Sequence, residues 1–471
     1  MVAFREPSIV CAFVAFSVIF FGNFGVVDAN SNVQAAVEPW SMPLLNFDEF
    51  NYGITLQIGS QRQPFTVMID TGSQFLWVPC YNATVAPSSS GSSGSDQSSS
   101  SGSRGADDPS VAFTVARRRS KASFNPATSA TYESWHHPFH ASYESGPFIG
   151  LAGSDTICFG GDGSNGHGGM VPHPVVCIDK VPFALGVEYT LASQGQFDGI
   201  LGMKLRADRH SVPVGLVIEY ISSLTNGSIG PSFQIIATPR GNLNGSSSGG
   251  RLWLGLNETP RTSNRTHPSS PQIPVANASQ NGGDSFDWLL EFEAWTTTST
   301  MREGNMPAAG KEKTAAEALL LSNPTTDAAV GTQLTILDCG SSLNYLPTSL
   351  AADINSKLGC AFSNSSNPGL CYFDICPPPL SVMNRVALNV RLGGNATVVS
   401  LRGLDHVAWQ HGIGPHGSDV CMSAYVDGGS PMSWAVLGTP FFRTFSVFFA
   451  PPPASGARRS SAAYVVIQRQ R

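Results

Sequence analysis

The feature that most constrains this chain is a motif that occurs twice, far apart. Phe65-Thr-Val-Met-Ile-Asp70-Thr71-Gly72-Ser73 is a run of strand-forming residues that breaks at an aspartate and resumes as Phe75-Leu-Trp77-Val-Pro79-Cys80. A carboxylate set between apolar strand residues is costly to bury unless it is hydrogen-bonded or used for chemistry. Thr71 and Ser73 supply hydroxyls beside it, and Gly72 supplies a backbone that turns tightly. Taken alone, the segment could equally be a strand running into an Asp-Gly turn. The second occurrence, Leu334-Thr-Ile-Leu-Asp338-Cys339-Gly340-Ser341, continues through Leu343 and Tyr345 to Pro347. Asp70 falls on Asp338, Gly72 on Gly340, Ser73 on Ser341 and Pro79 on Pro347, with no gap. An internal repeat changes the reading of a fold: it predicts two lobes, each donating one carboxylate to a shared cleft.

The 471 residues are enough for two sizeable lobes. Charged residues make up 13% of the chain, against roughly 25% in an average soluble protein. With 48 Gly, 33 Pro and no long stretch of helical apolar period, the composition suits a β-rich fold with many turns. Helices are expected only at Val212 to Leu224, beginning with Pro213, and at Thr348 to Leu358, after a Thr/Ser cap and stopped by Gly359. The net charge of -6 carries no global basic bias, so nucleic acid is not an expected partner.

The N-terminus reads as a targeting signal over residues 1–29. Arg5 precedes an apolar run from Ile9 to Phe21, and Val27-Asp28-Ala29 offers small residues for cleavage. An uncleaved anchor is the alternative, since Gly22 to Val27 extends the run towards spanning length; no other run could span a membrane. Asn-x-Ser/Thr sequons at Asn82, Asn226, Asn244, Asn257, Asn264, Asn277, Asn364 and Asn395 agree with secretory entry and glycosylation. With Cys11 in the signal, eight cysteines remain, an even number in an oxidising compartment. Residues 30–46 form a short leader without Lys or Arg. The first lobe is expected over 47–235, with a Ser/Gly-rich insertion at about 86–121, and the second over 236–471, with insertions at about 241–284 and 298–331. The basic run Arg117-Arg-Arg119-Ser120-Lys121 is either a solvated loop or a processing site. His136, His137 and His140 sit in a stretch broken by Pro138 with no acidic or Cys ligand suitably spaced, so no metal is expected.

Further segments extend the pattern. Phe124-Asn125-Pro126 with Ser129 and Thr131, Tyr143-Glu144-Ser145-Gly146 followed by Gly150 and Asp155-Thr156, and Phe197-Asp198-Gly199-Ile200-Leu201-Gly202 follow the first motif in order. Ala435-Val436-Leu437-Gly438 with Phe441, Phe442 and Arg443 follows the second. Together these resemble the pepsin-like aspartic peptidase family over most of the chain after about Phe47. The resemblance implies an all-β bilobal fold with pseudo-two-fold symmetry, few short helices and disordered surface insertions. It implies a secreted, acid-acting endopeptidase that needs no cofactor, takes a peptide or protein substrate and works as a monomer in an extracellular or vacuolar compartment. By position, Asp70 and Asp338 would hold the catalytic water. Ser73 and Ser341 would hydrogen-bond the outer carboxylate oxygens, and Gly72 and Gly340 would let the backbone approach. Tyr143 would close over the peptide from a flap tip, its hydroxyl held by the Trp77 N–H.

One residue departs from the family pattern. Cys339 stands where Thr or Ser follows the catalytic Asp, and those hydroxyls bond to the opposite loop; Thr71 retains this on one side. A thiol is a much weaker donor, and a buried acceptor left unpaired would cost about 1–3 kcal/mol. An active enzyme, an impaired one and a homologue kept for binding peptides or proteins all remain open. A Cys339 nucleophile is disfavoured because neighbouring carboxylates oppose thiolate. A one-motif retroviral-type dimer is disfavoured because both halves lie in one chain. Cys376 with Cys421 resembles the family's second-lobe bridge. By proximity, Cys360 would pair with Cys371 and Cys158 with Cys177, which leaves Cys80 and Cys339 as candidate free thiols.

Overall fold

A computed structural model of the chain describes residues 40–47, 49–85, 122–143, 146–160, 175–189, 197–205, 217–224, 230–238, 248–256, 271–276, 287–298, 329–362, 369–394, 397–410, 418–429, 434–451 and 463–470. The architecture is predominantly β, in the bilobal arrangement expected of the repeat. The first half contains β1 (Trp40–Phe47), β2 (Asn51–Ile58), β3 (Gln63–Asp70), β4 (Leu76–Val85), β5 (Glu133–Tyr143), β6 (Gly146–Phe159), β7 (Val176–Tyr189), β8 (Gly199–Gly202), α1 (Val217–Leu224) and β9 (Gly230–Ala237). Then come β10 (Ser248–Gly255), β11 (Ile273–Pro274), β12 (Leu289–Thr298), β13 (Ala329–Leu337), β14 (Asn344–Leu346), α2 (Thr348–Leu358), β15 (Ala361–Phe362), β16 (Cys371–Tyr372) and α3 (Leu380–Met383). The chain finishes with β17 (Val386–Leu392), β18 (Thr397–Arg402), β19 (Val407–Gln410), β20 (Val420–Ser423), β21 (Tyr425–Asp427), β22 (Trp434–Leu437), α4 (Thr439–Thr444), β23 (Phe445–Ala450) and β24 (Tyr464–Arg469).

The repeat in sequence is a repeat in topology. β3 alternates at its start, but from Val67 to Asp70 every residue is buried, so the strand drives its aspartate into the interior. It runs parallel to β8 with Asp70 opposite Gly202, and β8 runs antiparallel to β4 on its other side. In the second lobe β13 runs parallel to β22 with Leu337 opposite Leu437, and β22 touches β14 antiparallel through Val436 and Tyr345. In each lobe the aspartate loop therefore wraps the end of a short apolar strand ending at glycine, formed by Gly199-Ile-Leu-Gly202 in one and leading into Gly438 in the other.

The lobes share a floor in which β9 pairs with β10, β10 with β1, and β9 with β23. Phe233 of β9 stacks on Phe449 of β23 at 4.6 Å, and both rings meet the fully buried Trp288. Burial of such aromatic area dominates core energetics. A second tie is ionic. Arg443 of α4 pairs with Glu49, just ahead of β2, and both side chains are almost completely buried. The guanidinium also donates to the Val407 carbonyl at 2.8 Å, and Asn46 Oδ1 accepts the Glu49 N–H at 2.8 Å.

The leader expected over 30–46 gives way to strand at Trp40, because β1 registers against both β10 and β2. The helix expected over Val212 to Leu224 is described only from Val217. α2 has its expected span and its left-handed Gly359 stop, but Pro347 occupies the cap position without a side-chain hydrogen bond. The Thr348 hydroxyl donates instead to Asp427 at 2.7 Å. Ser88 to Ser103, the Arg117–Lys121 run and most of 241–284 and 298–331 lie outside the described residues. The described parts of 241–284 are not surface insertion but β10 and β11, whose Leu252, Leu254 and Ile273 are buried in the core because the strands pair with β1, β9 and β24. Disulfides join Cys158 to Cys177, Cys360 to Cys371 and Cys376 to Cys421. Cys80 is also disulfide-bonded, so of the two candidate free thiols Cys339 is the one that remains.

The buried ion pair yields a prediction. Arg443→Met removes the guanidinium that Glu49 faces in the interior and should destabilise the fold by about 3–5 kcal/mol. Adding Glu49→Gln should recover much of that loss, as read by denaturant unfolding of the single and double variants. Additive losses would contradict the pairing.

Candidate active site

The two aspartate loops meet back to back. Thr71, fully buried, donates through Oγ1 to the Leu337 carbonyl at 2.8 Å and accepts the Cys339 N–H at 2.9 Å. From the opposite side the Cys339 thiol donates to the Ile69 carbonyl at 3.3 Å. Thr71 thus reaches the backbone on either side of Asp338, and Cys339 the backbone just ahead of Asp70. The acceptor that a missing hydroxyl would have orphaned is engaged by sulfur, so the interlock persists with a weaker member.

Within each loop the carboxylate is fixed by its own backbone. Asp70 Oδ1 accepts the Gly72 N–H at 2.8 Å, and Asp338 Oδ1 accepts the Gly340 N–H at 2.9 Å. Glycine is required there by the other lobe. A Cβ on Gly72 would lie 2.6 Å from Asp338 Cγ, and one on Gly340 would lie 2.6 Å from Asp70 Cγ. Any side chain at either position would push the partner carboxyl out of the pair. Ser341 Oγ donates to Asp338 Oδ2 at 2.7 Å. Ser73 is less committed: it is near enough to favour the ionised Asp70, but among the described residues its buried Oγ has no partner in good hydrogen-bond geometry.

Electrostatics follow from this closeness. Asp70 is buried, and its carboxyl is held well above the usual range, first by burial and then by the charge of Asp338. Burial also pushes the Cys339 thiol well above its ordinary value, and both carboxylates add to the effect. At neutral and acid pH Cys339 is therefore a thiol, which keeps it a donor to Ile69 and removes it as a nucleophile.

Tyr143 ends β5 at the β5–β6 hairpin, where it pairs with Gly146. Its ring packs with Phe75, Trp77 and Phe148 at 6.3 to 6.4 Å between centroids. Burial, and then the charge of Asp70, raise its phenol, while Trp77 and Ser73 oppose the shift. The expected bond from the Trp77 N–H to the Tyr143 hydroxyl is not closed. Among the described residues Ser73 Oγ, Trp77 Nε1 and Tyr143 OH are all buried without a partner in good hydrogen-bond geometry. Sequence reasoning missed the acceptors Ile69 O and Leu337 O, since backbone carbonyls carry no residue signature. It also missed Asn344, a fully buried amide whose Oδ1 takes the Gly438 N–H at 2.9 Å.

Comparison with known proteins agrees with this geometry. A family model described as "Eukaryotic aspartyl protease" matches residues 51–214. The chain is similar to cathepsin E of Cavia porcellus, 29% identical over 210 residues, covering 43% of this chain and 44% of that protein. It is similar, at 24% identity over 416 residues, to a protein of Aspergillus oryzae described as "Probable aspartic-type endopeptidase opsB", covering 86% of this chain and 67% of that one. The fold matches an aspartic proteinase from Irpex lacteus with a TM-score of 0.57 and 16% identity, covering 92% of this chain and 98% of that one. The chain spans less than half the length of the first curated relatives it matches. Fold, motifs and likeness together define the class: an aspartic-protease architecture of two lobes. Over part of its length the chain is similar to pepsin-like aspartic peptidases, and its fold is theirs.

The raised Asp70 carboxyl makes stability depend on pH in a definite direction. The folded state holds this proton more tightly than the unfolded chain does. The contribution is fully present below the ordinary aspartate value of about 3.9 and is lost as pH rises through the folded-state value. Asp70→Asn, neutral throughout, should therefore gain melting temperature over wild type increasingly from acid to neutral pH. A constant difference across that range in thermal unfolding would count against the burial of an ionisable Asp70.

Proposed function

We propose that the chain is a secreted aspartic endopeptidase that hydrolyses peptide bonds through a water held between Asp70 and Asp338, at acidic pH. The observation that carries this reading is the mutual packing of the two loops, which leaves each carboxyl against the other's glycine. Peptide hydrolysis without a covalent intermediate needs a base for the water and an acid for the carbonyl oxygen. Two carboxyls this close cannot both ionise comfortably, so one proton shared between them supplies both functions. The ionised member takes a proton from the water as it attacks. The protonated member gives its proton to the carbonyl oxygen, and a tetrahedral diol results. The carboxyl that took the water's proton then gives it to the amide nitrogen, while the other carboxylate takes a proton from a diol hydroxyl as the C–N bond breaks, so that the acid and the amine leave and one proton is again shared by the pair. The apparent pKa values belong to the pair, so acid and base are not assigned to one residue each.

The peptide would lie extended between the lobes, with the Tyr143 hairpin closing over it. Ser73 and Ser341 would steady the outer carboxylate oxygens. Entry into the secretory pathway rests on the N-terminal apolar run, the sequons and the disulfides. Among the described residues no helix is long and apolar enough to cross a membrane. A second reading, a silent homologue that binds peptides in the same cleft, is motivated by Cys339 alone. The thiol bond to Ile69 favours the enzyme, because the altered loop remains anchored.

Wild type should cleave unfolded protein substrates at about pH 4 and be blocked by a transition-state-type peptide inhibitor. Asp70→Asn should abolish cleavage. Cys339→Thr, which restores a stronger donor, should keep or raise the rate and add up to about 1 kcal/mol of stability. Cleavage absent in wild type but present in Cys339→Thr would favour the binding reading.

A further inference from the structure

The segment Met203–Lys204 leaves β8 directly beneath the first aspartate loop and holds it from below. The Met203 N–H donates to the Asp70 carbonyl at 2.8 Å, and the Lys204 N–H donates to the Ser73 carbonyl at 3.0 Å. Both ends of Asp70-Thr71-Gly72-Ser73 therefore rest on two consecutive amides. The same two residues are gripped from the other lobe. Trp288 Nε1 donates to the Met203 carbonyl at 2.9 Å, and Lys204 Nζ pairs with Asp287 at 2.8 Å. The ion pair is mostly sheltered, at 19% and 23% side-chain exposure, where screening is weaker than at an open surface. Asp287 and Trp288 immediately precede β12, the strand that pairs with β13, which leads into Asp338.

This arrangement has a counterpart across the pseudo-two-fold. The second aspartate loop rests on the Thr439 N–H, which donates to the Ser341 carbonyl at 2.8 Å. The helix that begins at Thr439 carries Arg443, which pairs with Glu49 of the first lobe. Glu49 lies two residues before β2, as Asp287 lies two residues before β12. Each aspartate loop is thus backed by a segment whose cation reaches an acid at the foot of the opposite lobe.

We infer that Lys204 and Asp287 are positioning residues for the hydrolytic pair. Together with Trp288 they fix the height of the Asp70–Ser73 loop against the second lobe, and hence how Asp70 faces Asp338. The inference deepens the peptidase reading and rests on it for the kinetic part of its test. Loss of the ion pair frees the loop's support to shift, and small displacements of a reacting group are costly in rate while leaving substrate binding largely intact.

The test uses the full chain as Lys204→Met, Asp287→Asn, the double variant and Lys204→Arg. Cleavage kinetics are measured across pH, together with hydrogen exchange at the backbone amides of the two aspartate loops. Lys204→Met and Asp287→Asn should each lower kcat by about tenfold with KM little changed. The double variant should be no worse than either single, because one interaction is removed in all three. Lys204→Arg should recover most of the rate. Exchange should quicken at Gly72 and Ser73 and not at Gly340 and Ser341. Unchanged kcat in Lys204→Met, multiplying losses in the double variant, or equal quickening in both loops would each overturn the proposal. If wild type cleaves nothing, the peptidase reading fails by itself, and the loop-selective exchange still decides the brace.

Discussion

The structure depends on the hydrogen-bonded contact between two loops, Thr71 on one side and Cys339 on the other. These two residues connect the loops through the centre of the site, and each bond involves backbone beside an aspartate. With that contact fixed, two carboxyls that would repel in water are kept together in an interior that disfavours their charge. The consequences are the raised Asp70 carboxyl and the protonated Cys339 thiol. Both are properties of the pair of loops rather than of either loop.

Holding like charges together requires ties elsewhere. The shared floor through β9 and β23 buries aromatic surface around Trp288, and two ion pairs, Glu49 with Arg443 and Asp287 with Lys204, join the lobes away from the cleft. A buried ion pair adds little net stability relative to apolar residues, but it fixes a geometry that apolar contacts leave freer. For a site whose chemistry depends on the separation of two carboxyls, fixed geometry matters more than the net energy.

Much of this was legible in the residues. The gapless repeat around Asp70 and Asp338 carries two lobes, the paired strands and the convergence of the loops, because a strand that buries an aspartate has few other reasons to occur twice. The pairings of Cys158 with Cys177, Cys360 with Cys371 and Cys376 with Cys421 followed from proximity and resemblance. What could not be read was set by long-range contacts. Trp40 looks like part of a leader until β10, more than two hundred residues later, supplies its partner. Thr348 looks like a cap until Asp427 takes its hydroxyl. Lys204 has no motif of its own, and its meaning depends on Asp287 from the other lobe.

The most direct measurement is a difference proton titration of native wild type against Asp338→Asn. If the loops make one proton-sharing pair, wild type retains a proton well above the ordinary carboxylate range. Removing the Asp338 charge should then move that titration downward, leaving only the part due to burial. Identical curves would show that the two carboxyls do not sense each other, and would contradict the account at its centre.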